Sequence, residues 1–220
     1  MAAEGLSGYP YAAPSRNPFN YVKFEQIARD VTTAWLGLPL ITNHLNLFDD
    51  TSQDGYLQSL ELATRFAIED YLGLSIFPVT YRVWYGAEGL VASPTSLDLP
   101  EVSQNATSSL AGVTISKVAY YNSSNVLTVV SPSIYYYDAS GNKVIVSSLP
   151  TDINSDMTAP IIVEYSTVAN PLQTYPVIQQ AALLLLTHLY NNRSETTSTV
   201  QKDIPFGVDV LLRPYKPLVM

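Results

Sequence analysis

Side chains that could carry out catalysis or bind a metal are few in this sequence and far apart. No cysteine is present, which excludes disulfides, thiolate catalysis and cysteine-ligated metal sites. The two histidines, His44 and His188, are separated by more than half of the chain, so neither has a second histidine at a chelating spacing. A general base at His188 would need a carboxylate or serine to orient it, and the sequence places none beside it. We interpret both histidines as packed or interfacial side chains.

Three neighbouring carboxylates form the other candidate site. Asp49, Asp50 and Asp54 could hold a divalent cation, because such ions prefer carboxylate oxygens. They also lie at the start of a helical pattern, where acidic side chains stabilise the helix dipole, and we favour this structural role. The motifs GxxxxGK(S/T), GxGxxG, GxSxG and HExxH are absent. The residues therefore predict a protein that is not an enzyme and that needs no metal or cofactor.

The composition excludes further classes of protein. Of the 220 residues only 14% are charged, where about 25% is usual for a soluble domain. Eleven Lys and Arg against nineteen Asp and Glu give a formal net charge of −8, and the cations are scattered, which argues against a nucleic-acid-binding patch. The apolar run near the C-terminus, Ala181–Leu186, is far shorter than the ~20 residues that span a bilayer. The first residues do not have the pattern of a secretory signal, and no membrane association is expected.

The helical patterns of the N-terminal part begin after a proline-rich stretch. Residues 1–22 are expected to form an extended arm, because each proline keeps its predecessor out of the helical region. Apolar residues at spacings of three and four then predict a helix over Lys23–Leu36. A short helix is predicted from Leu40 to Leu47.

Two longer helices have stronger signals. One is predicted over residues 53–72, because Thr51–Asp54 fits a capping box and Gly73 can end a helix in the left-handed conformation. The other is predicted over residues 176–192, since Pro176 is favourable in a first turn and a wide apolar face follows it.

Between Phe77 and Val168 the apolar period changes to two residues, which is typical of strands. Turn-forming residues separate the runs, and Asp138–Asn142 is predicted to be a hairpin loop. Segment 89–110 lacks periodicity and is predicted to be a long loop. The predicted strands are Val79–Tyr85, Val113–Lys117, Val126–Val130, Ser133–Tyr137, Lys143–Ser147 and Ile161–Tyr165.

These elements predict an α+β fold. It consists of a small helical bundle, with long helices at about 53–72 and 176–192, an inserted antiparallel β-subdomain, and extended N- and C-terminal arms. The predicted domains are an N-terminal arm (1–22), a helical body (23–76 plus 169–193), the inserted β-subdomain (77–168), and a linker with a C-terminal docking arm (194–220).

The sixteen tyrosines leave several functions open. In the run Tyr135–Tyr137, alternation sends the first and last side chains to one face of a strand and Tyr136 to the other, so at least one face is expected to be core. Tyrosine is also favoured at protein interfaces, and exposed rings can stack on sugars. Sheet packing, a protein interface and glycan binding are the alternatives, with glycan binding favoured least.

The charges differ between the β-segment and the C-terminal end. Between Val83 and Tyr165 there are two cations and seven anions, whereas residues 190–220 contain four cations and three anions. The end also contains a predicted short helix, Val208–Leu212, and apolar residues expected to be exposed, namely Phe206, Leu211, Leu212 and Tyr215. This asymmetry indicates a tail that docks on the acidic surface of a neighbour.

Two stretches of the sequence are similar to a known family. Leu189–Glu195, at the end of the second long helix, resembles the helix-ending YxNR signature of the head–tail connector proteins of tailed bacteriophages, the adaptors that form a ring beneath the portal. These proteins continue with a polar linker, a Pro-Phe-Gly-Val segment, two leucines and a Pro-Tyr-basic end. Here the corresponding residues are Pro205–Val208, Leu211–Leu212 and Arg213–Lys216, and a weaker likeness runs from Leu40 to Gly73.

The resemblance implies a structural protein of the virion neck, at the head–tail interface, made in the host cytoplasm. It implies a homo-oligomeric ring of twelve copies that contacts the portal protein and a downstream tail or neck protein. DNA would pass through the channel without specific binding. The residues that it implicates in partner and oligomer contacts are Tyr190, Asn192, Arg193, Pro205, Phe206, Gly207, Val208, Leu211, Leu212, Arg213 and Tyr215.

Two features of the chain depart from this family, whose members are commonly smaller and largely helical. These are the N-terminal extension and the β-segment 77–168. The alternative function is therefore a tyrosine-rich β-domain that recognises a glycan or a surface, in a phage or bacterial surface protein. A hydrolase with an Asp/Glu pair is a third possibility, but no spacing in the sequence nominates such a pair.

Overall fold

The computed structural model describes residues 19–48, 50–87, 94–102, 112–168, 171–192 and 206–216. Within these ranges the chain forms four α-helices and two antiparallel sheets, which confirms the α+β class. The strands are β1 (Tyr21–Arg29), β2 (Val79–Tyr85), β3 (Thr95–Asp98), β4 (Val113–Tyr121), β5 (Leu127–Val129), β6 (Tyr135–Asp138), β7 (Lys143–Val146) and β8 (Ile161–Thr167). The helices are α1 (Leu38–Leu45), α2 (Asp54–Leu72), α3 (Pro176–Asn191) and α4 (Phe206–Leu212), with short 3-10 turns at Pro132–Ile134, Pro171–Thr174 and Arg213–Tyr215.

The two sheets share one hydrophobic core. The larger sheet has the strand order β1-β2-β8-β4-β5, and the smaller sheet has the order β3-β7-β6. Every second residue of β2 is buried in this core, as its alternating sequence predicts, and these residues are Val79, Tyr81, Val83 and Tyr85. Val144 of β7 contributes to the same core from the smaller sheet.

Buried tyrosines of the larger sheet bond to β3 and the segment that follows it. The Tyr85 hydroxyl donates a hydrogen bond to the carbonyl oxygen of Asp98 at 2.7 Å, and the Tyr165 hydroxyl donates to that of Glu101 at 2.8 Å. The Tyr81 hydroxyl donates to the Glu101 carboxylate. Burial raises the pKa of both Tyr85 and Tyr165, so these phenols stay protonated and act as donors.

The opposite face of the larger sheet has a row of charges that pair across the strands. Arg82 lies 3.3 Å from Glu25 of β1 and 2.7 Å from Glu164 of β8, measured between side-chain nitrogen and oxygen atoms. Lys117 of β4 lies 3.1 Å from the same Glu164 oxygen. The four charges alternate in sign, so this row adds no net charge to the surface.

Replacing Glu164 by glutamine is expected to reduce stability near neutral pH and to matter progressively less below about pH 4. Burial alone would raise the pKa of Glu164, but hydrogen bonds from Arg82 and Lys117 hold it below its usual value. A carboxyl group whose pKa is lowered by folding stabilises the protein above its unfolded pKa, about 4.3, and this contribution is lost as the pH falls through the folded value. Urea titrations of both proteins between about pH 3 and 7 measure the difference. A difference that does not change with pH would contradict the prediction.

The helices share a separate core. Helix α2 ends at Gly73, whose φ of 66° is left-handed as predicted, and α3 begins with Pro176 in its first turn. The predicted helices at residues 53–72 and 176–192 are thus observed within one residue at each end. The buried apolar residues of α1, α2 and α3 are Ile41, Leu57, Ile68, Leu72, Ile178, Ala181, Ala182, Leu183, Leu185 and Leu186.

The helix predicted over Lys23–Leu36 is wrong. Its first part is the strand β1, which pairs antiparallel with β2 and shifts register twice, and residues 30–37 form an irregular linker to α1. Strand β1 therefore lies in the larger sheet, although the sequence assigned residues 23–76 to a helical body. Local spacing cannot reveal a partner strand fifty or more residues away, and here that pairing decides the structure.

A buried polar stripe on α2 explains why the linker is not helical. Glu61, Arg65 and Glu69 follow each other at helical spacing and are only 3%, 1% and 5% exposed. The Glu61 carboxylate accepts hydrogen bonds from the backbone N–H groups of Trp35, at 2.9 Å, and Leu36, at 3.2 Å. Backbone groups held by these side chains are not available for the bonds of a helix.

The central residue of the stripe, Arg65, holds the first part of the linker. Its guanidinium donates to the carbonyl oxygens of Asp30, at 2.5 Å, and Thr33, at 2.8 Å. The Asp30 carboxylate accepts from the backbone N–H groups of Thr32 and Thr33, which fixes the turn that presents both carbonyls. Hydrogen bonds from Thr33 hold the pKa of Asp30 well below its usual range, so the turn keeps its charged acceptor in acid.

Two local predictions are also wrong. Segment 89–110 is predicted to be a loop, but its described part, residues 94–102, contains β3, whose Leu97 is fully buried in the sheet core, and the remainder lies outside the described residues. A strand of four residues is too short for its alternation to be visible in the sequence. The capping box at Thr51–Asp54 does not form, because the N-cap residue of α2 is Gln53 and it makes no side-chain capping bond.

Other local predictions are confirmed. A hairpin loop of residues 139–142 joins β6 to β7 within the predicted Asp138–Asn142 turn, and the Asp138 carboxylate accepts from the Ser140 backbone N–H at 2.9 Å. Tyr135 and Tyr137 pack against the sheet core, while Tyr136 is 60% exposed on the other face of β6. Within the described ranges, no helix has the length and hydropathy needed to cross a bilayer.

Candidate functional site

The C-terminal helix α4 packs against the core formed by the other helices of its own chain. Val208 and Leu212 are 4% and 1% exposed and belong to the helical core. A Cβ built on Gly207 would lie 4.0 Å from Leu184 of α3, so this face of α4 is close to α3. The expectation that Leu212 is exposed is therefore wrong, because one face of the short helix is covered within the chain.

Polar and aromatic contacts fix the end of this segment. The Tyr71 hydroxyl of α2 donates a hydrogen bond to the Asp209 carboxylate, and this bond raises the pKa of Tyr71. The Lys216 ammonium lies 4.9 Å from the centre of the Tyr71 ring. The rings of Tyr215 and Tyr175 meet edge to face at a centroid distance of 5.7 Å. The segment 206–216 is thus held at several points along α2 and α3.

The other face of α4 is open to solvent. Val210 is 47% exposed, and the Arg213 side chain is 77% exposed, 3.7 Å from the Asp209 carboxylate. Leu211 is half-buried and packs against the helical core. The exposed face therefore offers apolar surface beside a cation, which is suited to an acidic partner surface.

The remaining residues implicated by the sequence lie around the end of α3 or outside the described ranges. Tyr190 donates a hydrogen bond to the Gln53 side chain at 3.0 Å, and Asn192 donates to the carbonyl oxygen of His188 at 2.8 Å. Phe206 is the first residue of α4. Arg193 and Pro205 lie outside the described residues. The structure therefore places Tyr190 and Leu211 against one shared core, whereas the polar linker between them is not described.

The histidines and aspartates considered as catalytic or metal-binding residues make structural contacts. His44 lies in the last turn of α1, and the His188 ring nitrogen Nδ1 lies 3.4 Å from the Asn192 amide nitrogen. The Asp50 carboxylate accepts from the Ser52 backbone N–H at 2.9 Å, and hydrogen bonds from Ser52 lower its pKa. Asp49 lies outside the described residues. In the part of the chain that is described, no three His, Asp or Glu side chains are grouped as metal ligands.

A cavity of about 210 Å³ lies where α2 meets the larger sheet, and it is lined by Glu69 and Glu101 among others. Both carboxylates already accept structural hydrogen bonds. Glu69 accepts from the Ile76 backbone N–H at 2.7 Å and from Arg29, and Glu101 accepts from the Ser75 backbone N–H at 2.8 Å and from Tyr81. The hydrogen bonds of these two carboxylates hold α2 to the sheet. The two groups therefore have a structural role and are not arranged as the acid and base of a hydrolase.

Sequence reasoning missed the two edges of the larger sheet. In the described chain, eight of the fourteen exposed large hydrophobic side chains lie in two short stretches, one around β1 and one at β5. They are Phe19 (43%), Val22 (55%), Phe24 (49%), Ile27 (40%) and Val31 (54%), and Val126 (57%), Leu127 (41%) and Val129 (61%). The signal at β1 was hidden because Phe24, Ile27 and Val31 were predicted to form the apolar stripe of a helix, and at β5 because a strand pattern does not show that the strand lies at an edge.

The structure is similar to chains of three solved particles. One, in the neck of an empty GTA particle computed with C6 symmetry, has a TM-score of 0.61 at 18% identity, with 90% of this chain and 97% of that chain covered. The second, in the virion of a native gene transfer agent (GTA) particle, has a TM-score of 0.60 at 17% identity over 90% and 96% of the two chains. The third, in the neck of a native GTA particle computed with C12 symmetry, has a TM-score of 0.54 at 16% identity over 90% and 97%. No protein-family model matches the sequence, and no curated protein matches it.

The β-segment belongs to the shared fold. Coverage of 90% leaves about 22 residues of this chain unmatched, far fewer than the segment 77–168 contains. Most of that segment, which departs from the mainly helical pattern expected for the connector family, is therefore present in these neighbours. What the chain shares with these subunits of GTA particles, over nearly the whole of both chains, is the fold.

Proposed function

We propose that this chain is a structural subunit of the virion neck, a head-to-tail connector that forms a ring beneath the portal. The observation that carries the proposal is the match over 97% of a chain found in the neck of a GTA particle. Two of the chains described above come from necks computed with C6 or C12 symmetry, which supports a homo-oligomeric ring, and the twelve copies that the resemblance implies fit the C12 case. The YxNR-like helix end and the C-terminal segment support the same assignment from the sequence.

In this proposal the protein has no catalytic activity and acts by binding. It joins the capsid portal to a downstream tail or neck protein, and DNA passes through the ring without specific contacts. A net charge of −8 supports this passage, because an acidic surface does not retain phosphates. The protein would be made in the host cytoplasm and function in the virion.

The C-terminal segment would contact the portal or a neighbouring copy through its solvent-facing side. Val208 and Leu212 keep α4 on its own body, so the contact would use Val210 and Arg213. Arg193, Pro205, Phe206 and Tyr215, which the sequence implicates, are proposed to take part in partner contacts as well. Repetition around a ring multiplies a weak contact into a stable one.

The experiment that tests the proposal is a mass determination in solution, by light scattering or native mass spectrometry, with and without purified portal protein. We expect either a ring of twelve copies, or a monomer that assembles on the portal at one copy for each portal subunit. A monomer that ignores the portal would overturn the connector function.

A further inference from the structure

Within the described residues, few charged side chains lie at the two exposed edges of the larger sheet. The stretch of residues 118–137, which contains β5, has no charged residue of its own, and the nearby Asp152 carboxylate accepts a hydrogen bond from the Tyr120 hydroxyl at 2.9 Å. At the other edge the Lys23 ammonium lies 3.5 Å from the Glu25 carboxylate, and Arg29 is paired with Glu69 of α2. Two copies of a protein with a net charge of −8 repel each other, so they approach most easily where the surface is neutral and apolar.

The positions of the two edges suit a ring. Strands β1 and β5 are the first and last strands of the five-stranded sheet, so about 19 Å of sheet separates them at the usual strand spacing. A ring of more than two copies needs a head-to-tail interface, in which two different patches of neighbouring subunits meet. An exposed edge strand with apolar side chains is a template for pairing with another chain. The fold thus presents two different patches on opposite sides, both ready for the same kind of contact.

We propose that the β1 edge of one copy packs against the β5 edge of the next copy, so that the larger sheets form a continuous belt around the ring. The inference rests on the proposed function and adds the surfaces through which the copies meet. Val22, Phe24 and Ile27 of one subunit contact the Val126–Val129 stretch of the next. The described cations at the β1 edge, Lys23 and Arg29, are paired with carboxylates, so this edge is poorly suited to phosphates.

The absence of cysteine allows a direct test by cross-linking. A variant that combines Val22→Cys with Val129→Cys is treated with a short bismaleimide reagent, after assembly in the presence of portal if portal is needed. The expected result is a ladder of covalent multimers on a denaturing gel. Each single-cysteine variant should give only monomer, because equivalent positions in adjacent copies are separated by about the width of the sheet.

Controls separate this inference from the proposed function. A Val22→Cys, Tyr136→Cys variant is the matched control, since Tyr136 is equally exposed but lies on the smaller sheet, and it should not cross-link. If the ring forms but the Val22–Val129 pair gives no ladder, the edge contact is wrong and the connector function stands. Dimers from a single-cysteine variant would show a two-fold contact and would also overturn the inference. Absence of any assembly overturns both.

A second measurement does not depend on cross-linking geometry. Val129→Glu places a charge at the centre of the proposed contact, and Tyr136→Glu places the same charge on the smaller sheet. We expect the first to lower the assembled fraction at least tenfold and the second to leave it unchanged, measured by native mass spectrometry. Assembly of Val129→Glu at the wild-type level would contradict the contact.

Discussion

Replacement of Arg65 by alanine is expected to lower the free energy of unfolding by about 3–5 kcal/mol, because two hydrogen bonds from a buried charged donor are lost. The side chain is 1% exposed and donates to the carbonyl oxygens of Asp30 and Thr33. Its guanidinium also lies 4.8 Å from the centre of the Phe77 ring, a cation–π contact that the variant removes. Urea unfolding followed by circular dichroism measures the loss.

Two further variants show whether the loss comes from the hydrogen bonds. Arg65→Lys keeps the charge but has no planar fork with which to reach two carbonyl groups, so an intermediate loss is expected. Arg213→Ala removes an arginine whose side chain is 77% exposed, and it should change stability by less than about 0.5 kcal/mol. A loss below about 1 kcal/mol for Arg65→Ala would mean that α2 does not hold the linker through this residue.

Leu212→Ala is expected to cost about 2–5 kcal/mol, as for other leucines truncated in a core. The side chain is 1% exposed, between α4 and the helical body. Because α4 is the last α-helix among the described elements, the loss should appear first as detachment of this helix. Hydrogen exchange of the backbone amides of residues 206–216 measures that detachment directly.

Val210 provides the matched control on the opposite face of the same helix. Val210→Ala should change stability by less than about 0.5 kcal/mol, because the side chain is already 47% exposed. Val210→Asp should also leave the protein folded but weaken its association with portal, if the outer face of α4 makes the proposed contact. Equal effects of Leu212→Ala and Val210→Ala on stability would show that α4 has no buried face.

The local elements that sequence predicts best have their causes within a few residues. Helix α2 has apolar residues on one face and ends where Gly73 adopts a left-handed φ, and α3 starts at a proline. The alternation of β2 and the hairpin at residues 138–142 were also predicted from residues within the segment itself. Each signal is complete within its own segment, so no distant partner is needed to interpret it.

The candidate site was found in part. The sequence indicated the C-terminal segment and its short helix, and α4 is observed over Phe206–Leu212. It could not show which face of α4 is covered, because that depends on Leu184 and Tyr71 of two other helices. The exposed edges of the sheet were missed altogether, since an edge exists only after the order of the strands is known.

The sequence by itself determined the class of the fold, the two longer helices, the absence of cysteine chemistry and the acidic charge. Only the tertiary structure decided that residues 21–29 form a strand, because their partner in β2 is distant in the chain and the Glu61–Arg65–Glu69 stripe binds the backbone after them. Short-range periodicity indicates the secondary structure that a segment would adopt by itself. Strand pairing and burial between distant segments contribute more free energy than this local preference, so they decide the secondary structure that the segment adopts in the folded protein.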